Sequence, residues 1–118
     1  RDRALLREYR RLIAETDHIF LPDLLKRLVE HSTERFYVSE ERALHVVRRM
    51  MCGDKLLEMR SSNQRKYRDI YERVCCLMQS DDVSLADAVW RVVNSPAPSF
   101  YLTPQSAKVI ISRKRRLV

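Results

Sequence analysis

The sequence predicts an all-α protein of about six helices, arranged as two pseudo-repeats of three and packed as one globule. Three observations predict it. Apolar residues recur at spacings of three and four along most of the chain. One glycine and four prolines in 118 residues are too few turn formers for a many-stranded sheet. A stretch of sequence also returns 64 positions later: Phe36, Tyr37, Val38, Ser39 and Ala43 are matched by Phe100, Tyr101, Leu102, Thr103 and Ala107. The same offset pairs Leu21 with Leu85, Asp23 with Asp87, Arg27 with Arg91 and Val29 with Val93, and an offset of 62 pairs Tyr9 with Tyr71 and Arg11 with Arg73. The expected organisation is a single helical domain over 1–118, with repeat one at about 4–60 and repeat two at about 64–116.

The first helix is expected over 3–16, where Leu5, Tyr9, Leu12 and Thr16 keep helical spacing and Leu6 and Ile13 widen the stripe. Pro22 suits a first helical position, so the second helix is expected over 22–31 with Leu21, Leu24, Leu25 and Leu28 as its apolar edge. Phe36, Tyr37 and Val38 are aromatic and β-branched and predict an extended connection. Ser39 is a good N-cap for the third helix, Glu40 and Glu41 suit its positive end, and Gly53 fits the position that ends it. Ser61, Ser62 and Asn63 read as punctuation between the repeats.

The fourth helix has the strongest periodicity, through Tyr67, Ile70, Tyr71, Val74, Leu77 and Met78. Ser84, Leu85, Ala86 and Asp87 resemble a capping box opening a fifth helix to about 94, with Trp90 expected at a core edge. Pro96 and Pro98 exclude regular helix between the fifth and sixth. Thr103 caps the sixth helix, Pro104 takes its first position, and Ala107, Ile110 and Ile111 face inward.

Composition narrows the function. Three cysteines, Cys52, Cys75 and Cys76, lack metal-type spacing and read as small hydrophobes in a reducing compartment. His18, His31 and His45 have no ligand-spaced partner, so no metal or other cofactor is expected. One glycine rules out a glycine-rich phosphate loop, and no Ser, His and Asp stand in a recognisable catalytic setting, so no enzyme is expected. No apolar run approaches the ~18 residues of a membrane span. With no leader pattern visible, a cytoplasmic setting without membrane contact is expected.

The net charge of +7 is uneven: residues 1–59 hold 12 basic and 11 acidic side chains, residues 60–118 hold 11 and 5. A cationic half of this kind suits a polyanionic partner. In repeat one the helix cap is followed by Glu40 and Glu41, whose charge repels phosphate; in repeat two Pro104 and Gln105 stand there instead. Along the sixth helix Gln105, Ser106, Lys108 and Ser112 suit base edges or phosphates, and Arg113, Lys114, Arg115 and Arg116 suit backbone charge, with Arg65, Lys66 and Arg68 extending the stripe. The expected function is therefore non-catalytic binding of nucleic acid, duplex DNA ahead of RNA, in a helix-turn-helix-like manner. The alternative is a helical protein-interaction or assembly module, with a protein partner or a homodimer, anchored by Trp90, Phe36 and Tyr37.

The segment from Pro96 through Pro98, Phe100 and Tyr101 to Thr103, its partner from Ser32 to Ser39, and the run Met50, Met51, Cys52, Gly53, Asp54 resemble a small bacterial helical family of Bacteroides-type genomes, their phages and mobile elements. The resemblance covers nearly the whole chain. It implies a bacterial cytoplasmic setting and favours DNA work, and it brings no activity or residue roles with it. Repeat one lacks both prolines of the Pro-Ala-Pro pattern.

Overall fold

The computed structural model describes residues 1–17 and 20–116. Among them it has six helices and no strand: α1 (Asp2–Glu15), α2 (Leu21–Val29), α3 (Glu40–Met51), α4 (Ser61–Ser80), α5 (Leu85–Val93) and α6 (Pro104–Arg116). None of these helices is long and apolar enough to cross a membrane.

Three of the six helix starts follow from side-chain caps. The Ser39 hydroxyl accepts the Arg42 N–H, the Ser84 hydroxyl accepts the Asp87 N–H, and the Thr103 hydroxyl accepts the Ser106 N–H, each satisfying a donor that has no partner inside the helix. α3 stops at Gly53, which takes φ +96°. Its N–H donates to Met50 O and the Asp54 N–H to Arg49 O, the paired bonds of a Schellman ending. The next residues turn sharply, with Leu56 buried at φ +56° and its N–H donating to Asp54 Oδ1 at 2.8 Å. One expectation fails here: Ser61, Ser62 and Asn63 are the first turn of α4, not a linker. Arg60 is the N-cap without a side-chain bond, and the Gln64 amide reaches back to Met59 O at 2.8 Å.

The helices gather into two compact units, Arg1–Thr33 with Pro98–Val118, and Glu34–Ala97. In the first, α1, α2 and α6 pack on one another; in the second, α3, α4 and α5 do. The units therefore do not follow the halves of the sequence. Each takes two consecutive helices from one half and its third helix from the other.

Inside the units several backbone hydrogen bonds recur at the 64-residue offset. The buried residues of α2 are Leu24, Leu25, Leu28 and Val29; those of α5 are Ala88, Val89, Val92 and Val93. In the first unit the Phe100 N–H donates to Val29 O at 3.0 Å; in the second the Phe36 N–H donates to Val93 O at 3.0 Å. His31 N–H to Leu28 O matches Ser95 N–H to Val92 O, and Ala43 N–H to Ser39 O matches Ala107 N–H to Thr103 O. Phe36 and Phe100 are both buried, each bonded to the end of a helix from the other half of the sequence, Phe36 to α5 and Phe100 to α2. Full burial of such a ring removes a large apolar area from water, which fixes where the following helix starts.

The two connections differ in detail. Tyr101 is buried at φ +54°, with its N–H donating to the buried Ser99 hydroxyl at 3.1 Å. Tyr37 has no such backbone; there the Val38 N–H turns back to Phe36 O, and the Arg35 guanidinium donates to Phe36 O and Val38 O. Arg73 of α4 lies 5.1 Å over the Phe36 ring and donates to Pro96 O at 2.7 Å, bracing that unit.

Candidate nucleic-acid interface

α6 is held on the first unit by Ala107 and Ile111, both buried, with Ile110 half-buried beside them. At three-and-four spacing the opposite side of the helix carries Gln105, Lys108, Val109, Ser112 and Arg113, with Arg115 on its flank, and all six are exposed. Lys108, Arg113 and Arg115 make no hydrogen bond or ion pair among the described residues. No acidic residue occurs anywhere in 98–118. The result is one cationic arc with two small polar side chains on it.

Three of the residues grouped with this helix by sequence stand apart from the arc. Ser106 is half-buried and tied into the cap, with the Thr103 hydroxyl donating to its hydroxyl at 2.9 Å. Lys114 is half-buried on the side of Ala107, Ile110 and Ile111, because it follows them at helical spacing. Arg116 ends the helix, and its side chain lies outside the described residues.

Arg65, Lys66 and Arg68 belong to the other unit, on the first half of α4. Arg65 and Arg68 are exposed; the Lys66 ammonium lies 5.1 Å from the Tyr67 ring centre, and Arg68 donates to Gln64 Oε1 at 3.3 Å. The two groups of cations adjacent in the sequence-based stripe are thus carried by different units.

Sorted by unit, the net charge divides as unevenly as it does between the halves of the sequence. The unit with α6 contains 12 basic and 6 acidic residues, net +6; the other contains 11 and 10, net +1. In the first unit Arg11 binds both Glu8 and Glu15, and this holds its guanidinium pKa above the ordinary value. Arg3 and Arg10 of α1, and Lys26 and Arg27 of α2, are exposed and make no hydrogen bond or ion pair among the described residues.

In the second unit α3 holds the place that α6 holds in the first. Its leading carboxylate is already occupied: Glu40 accepts its own backbone N–H and the Asn94 amide at 3.1 Å, which together with Arg35 hold it below the ordinary carboxylate range. At the other end Arg49 binds Glu58 at 2.5 Å and Asp54 at 2.8 Å. Asp54 is held low by the Leu56 N–H and then by Arg49, and Glu58 by Arg49 first. An open cleft beside this cluster is lined by His45, Arg48, Arg49, Cys52, Gly53 and Asp54.

Other sequence expectations are redistributed. Phe36 is fully buried and unavailable as an anchor, Tyr37 is half-buried, and Trp90 is 58% exposed instead of sitting at a core edge. Cys52 and Cys76 are exposed and Cys75 half-buried, so none of the three is a core hydrophobe. Among the described residues no three His, Cys, Asp or Glu side chains gather as a metal site, and His18 lies outside them. Comparison of the chain with family models, with curated proteins and with solved structures finds no match.

Proposed function

We propose that this chain is a non-catalytic nucleic-acid-binding protein, acting on duplex DNA ahead of RNA in a bacterial cytoplasmic setting, with α6 as the contacting helix. One observation carries the reading: α6 turns outward an arc with Lys108, Arg113 and Arg115 and no carboxylate, in the unit that holds +6 of the net +7. Cations without internal partners are available to displace the counterions of a phosphate backbone. Gln105 and Ser112, between them, are of the right type for base edges once a helix of this width lies in a major groove. The arc has no aromatic side chain to stack on splayed bases, which favours duplex over single-stranded RNA.

The likeness to a helix-turn-helix is limited to a capped helix presented on a helix pair. Its pair, α1 and α2, is not the one that precedes it in the chain. The test is retention of the full chain on a nonspecific duplex as salt is raised. Arg113→Glu with Arg115→Glu is expected to abolish retention with helicity unchanged, because both side chains are exposed. Retention equal to that of the unaltered protein contradicts the assignment.

A second reading has its own observation. Trp90, 58% exposed on α5, is a large apolar surface of the kind that anchors protein contacts. A helical interaction module, with a protein partner or a second copy of the chain, would bind through Trp90 with little salt dependence. Loss of the partner on Trp90→Ala, with duplex affinity unchanged, would favour it.

A further inference from the structure

We infer that α3 carries a second phosphate-contacting face, built on Arg42, His45 and Arg48, which adds to binding by α6. The inference rests on the nucleic-acid reading of α6. It begins from equivalence: α3 packs on α4 and α5 as α6 packs on α1 and α2, with the same cap bond and the same aromatic N–H to valine carbonyl bond ahead of it. The side of α3 turned away from Ala43, Val46 and Val47 is therefore the counterpart of the cationic arc on α6.

The sequence makes α3 look unsuited, since it opens with two glutamates. The structure removes most of that objection. Glu40 is engaged by Asn94 and Arg35, and the two carboxylates beyond the helix, Asp54 and Glu58, are both bound by the one guanidinium of Arg49. Arg42, His45 and Arg48, at successive spacings of three, are exposed and make no side-chain hydrogen bond or ion pair among the described residues. They form a ladder that runs toward the open cleft at the helix end. Lys55 and Arg60, in the connector beyond, are likewise exposed and unpaired among the described residues. Glu41 of α3 is exposed and makes no ion pair among the described residues, and it sits at the start of the helix, a turn before His45.

Such a ladder suits a run of phosphates in a backbone. Two guanidiniums with an imidazole donor between them along one helix face match a run of phosphates without needing base readout, so this face adds affinity and salt dependence but no sequence preference. Glu41 acts against it.

The full chain is titrated with a fluorescent nonspecific duplex over a range of salt, beside a variant with Arg42→Gln and Arg48→Gln and a second with Glu41→Gln. The double variant is expected to reduce the slope of log affinity against log salt by about 2, close to one per lost phosphate contact. Glu41→Gln is expected to tighten binding. Circular dichroism is expected to be unchanged in both, since the altered side chains are exposed. Wild-type slopes in the double variant, while Arg113→Glu with Arg115→Glu still abolishes binding, would overturn the α3 face and leave α6 standing. No duplex binding by the unaltered protein would overturn both. If the double variant loses binding to polyglutamate but not to duplex, the face meets acidic protein and the inference fails.

Discussion

Arg49 is the residue on which one end of α3 depends. It binds Asp54 and Glu58 together, while Asp54 also holds the Leu56 backbone in a left-handed turn. The folded-state pKa values of Asp54, Glu58 and Glu40 are lowered, so their contribution to stability is present above the unfolded carboxylate range and is lost as pH falls through the lowered values. The melting temperature is expected to fall with acidification below about pH 4.5, and less steeply in Arg49→Met, which frees two of the three carboxylates. Superimposable pH profiles for the two proteins would contradict this role. Gly53 and the hydroxyl caps were legible in the sequence because their signals act within four residues. The left-handed Leu56 and Tyr101 were not, because neither residue type favours that backbone and only the surrounding bonds explain it.

At the scale of elements, periodicity named most of the buried faces, though Leu21 and Met78, expected on them, are exposed. Leu24, Leu25 and Leu28, or Ala43, Val46 and Val47, are where their spacing puts them. Trp90 escaped because a lone aromatic beside a stripe carries no sign of which side of the boundary it falls on. Lys114 escaped because a run of four cations hides helical phase, and phase alone turns one of them inward. The partner of each face was also beyond periodicity: an apolar stripe fits any complementary stripe. The sequence predicts the two repeats packed into one globule without saying which helices meet; α6 packs on α1 and α2, and α3 on α4 and α5. Removing residues 98–118 is therefore expected to strip hydrogen-exchange protection from α1 and α2, whose Leu24, Leu25 and Leu28 lose their cover, and to leave α3, α4 and α5 protected. Loss of protection in α4 and α5 with α1 and α2 intact would refute the exchanged arrangement.

At the scale of the whole molecule, the units divide the net charge as unequally as the sequence halves do, +6 against +1, but assign it to different residues. The basic half of the sequence, 60–118, spreads over both units, and the unit with α6 gains its +6 by joining the cationic last helix to α1 and α2. That redistribution makes α6 the contacting element in the proposal and leaves Arg65, Lys66 and Arg68 on the other unit. The most direct measurement is a titration of the isotope-labelled full chain with a nonspecific duplex, followed residue by residue through amide shifts at low salt. The expected result is a set of shifts centred on Gln105, Lys108, Ser112, Arg113 and Arg115 that fades as salt is raised. Shifts centred on Trp90 and α5, with α6 unmoved, would contradict it.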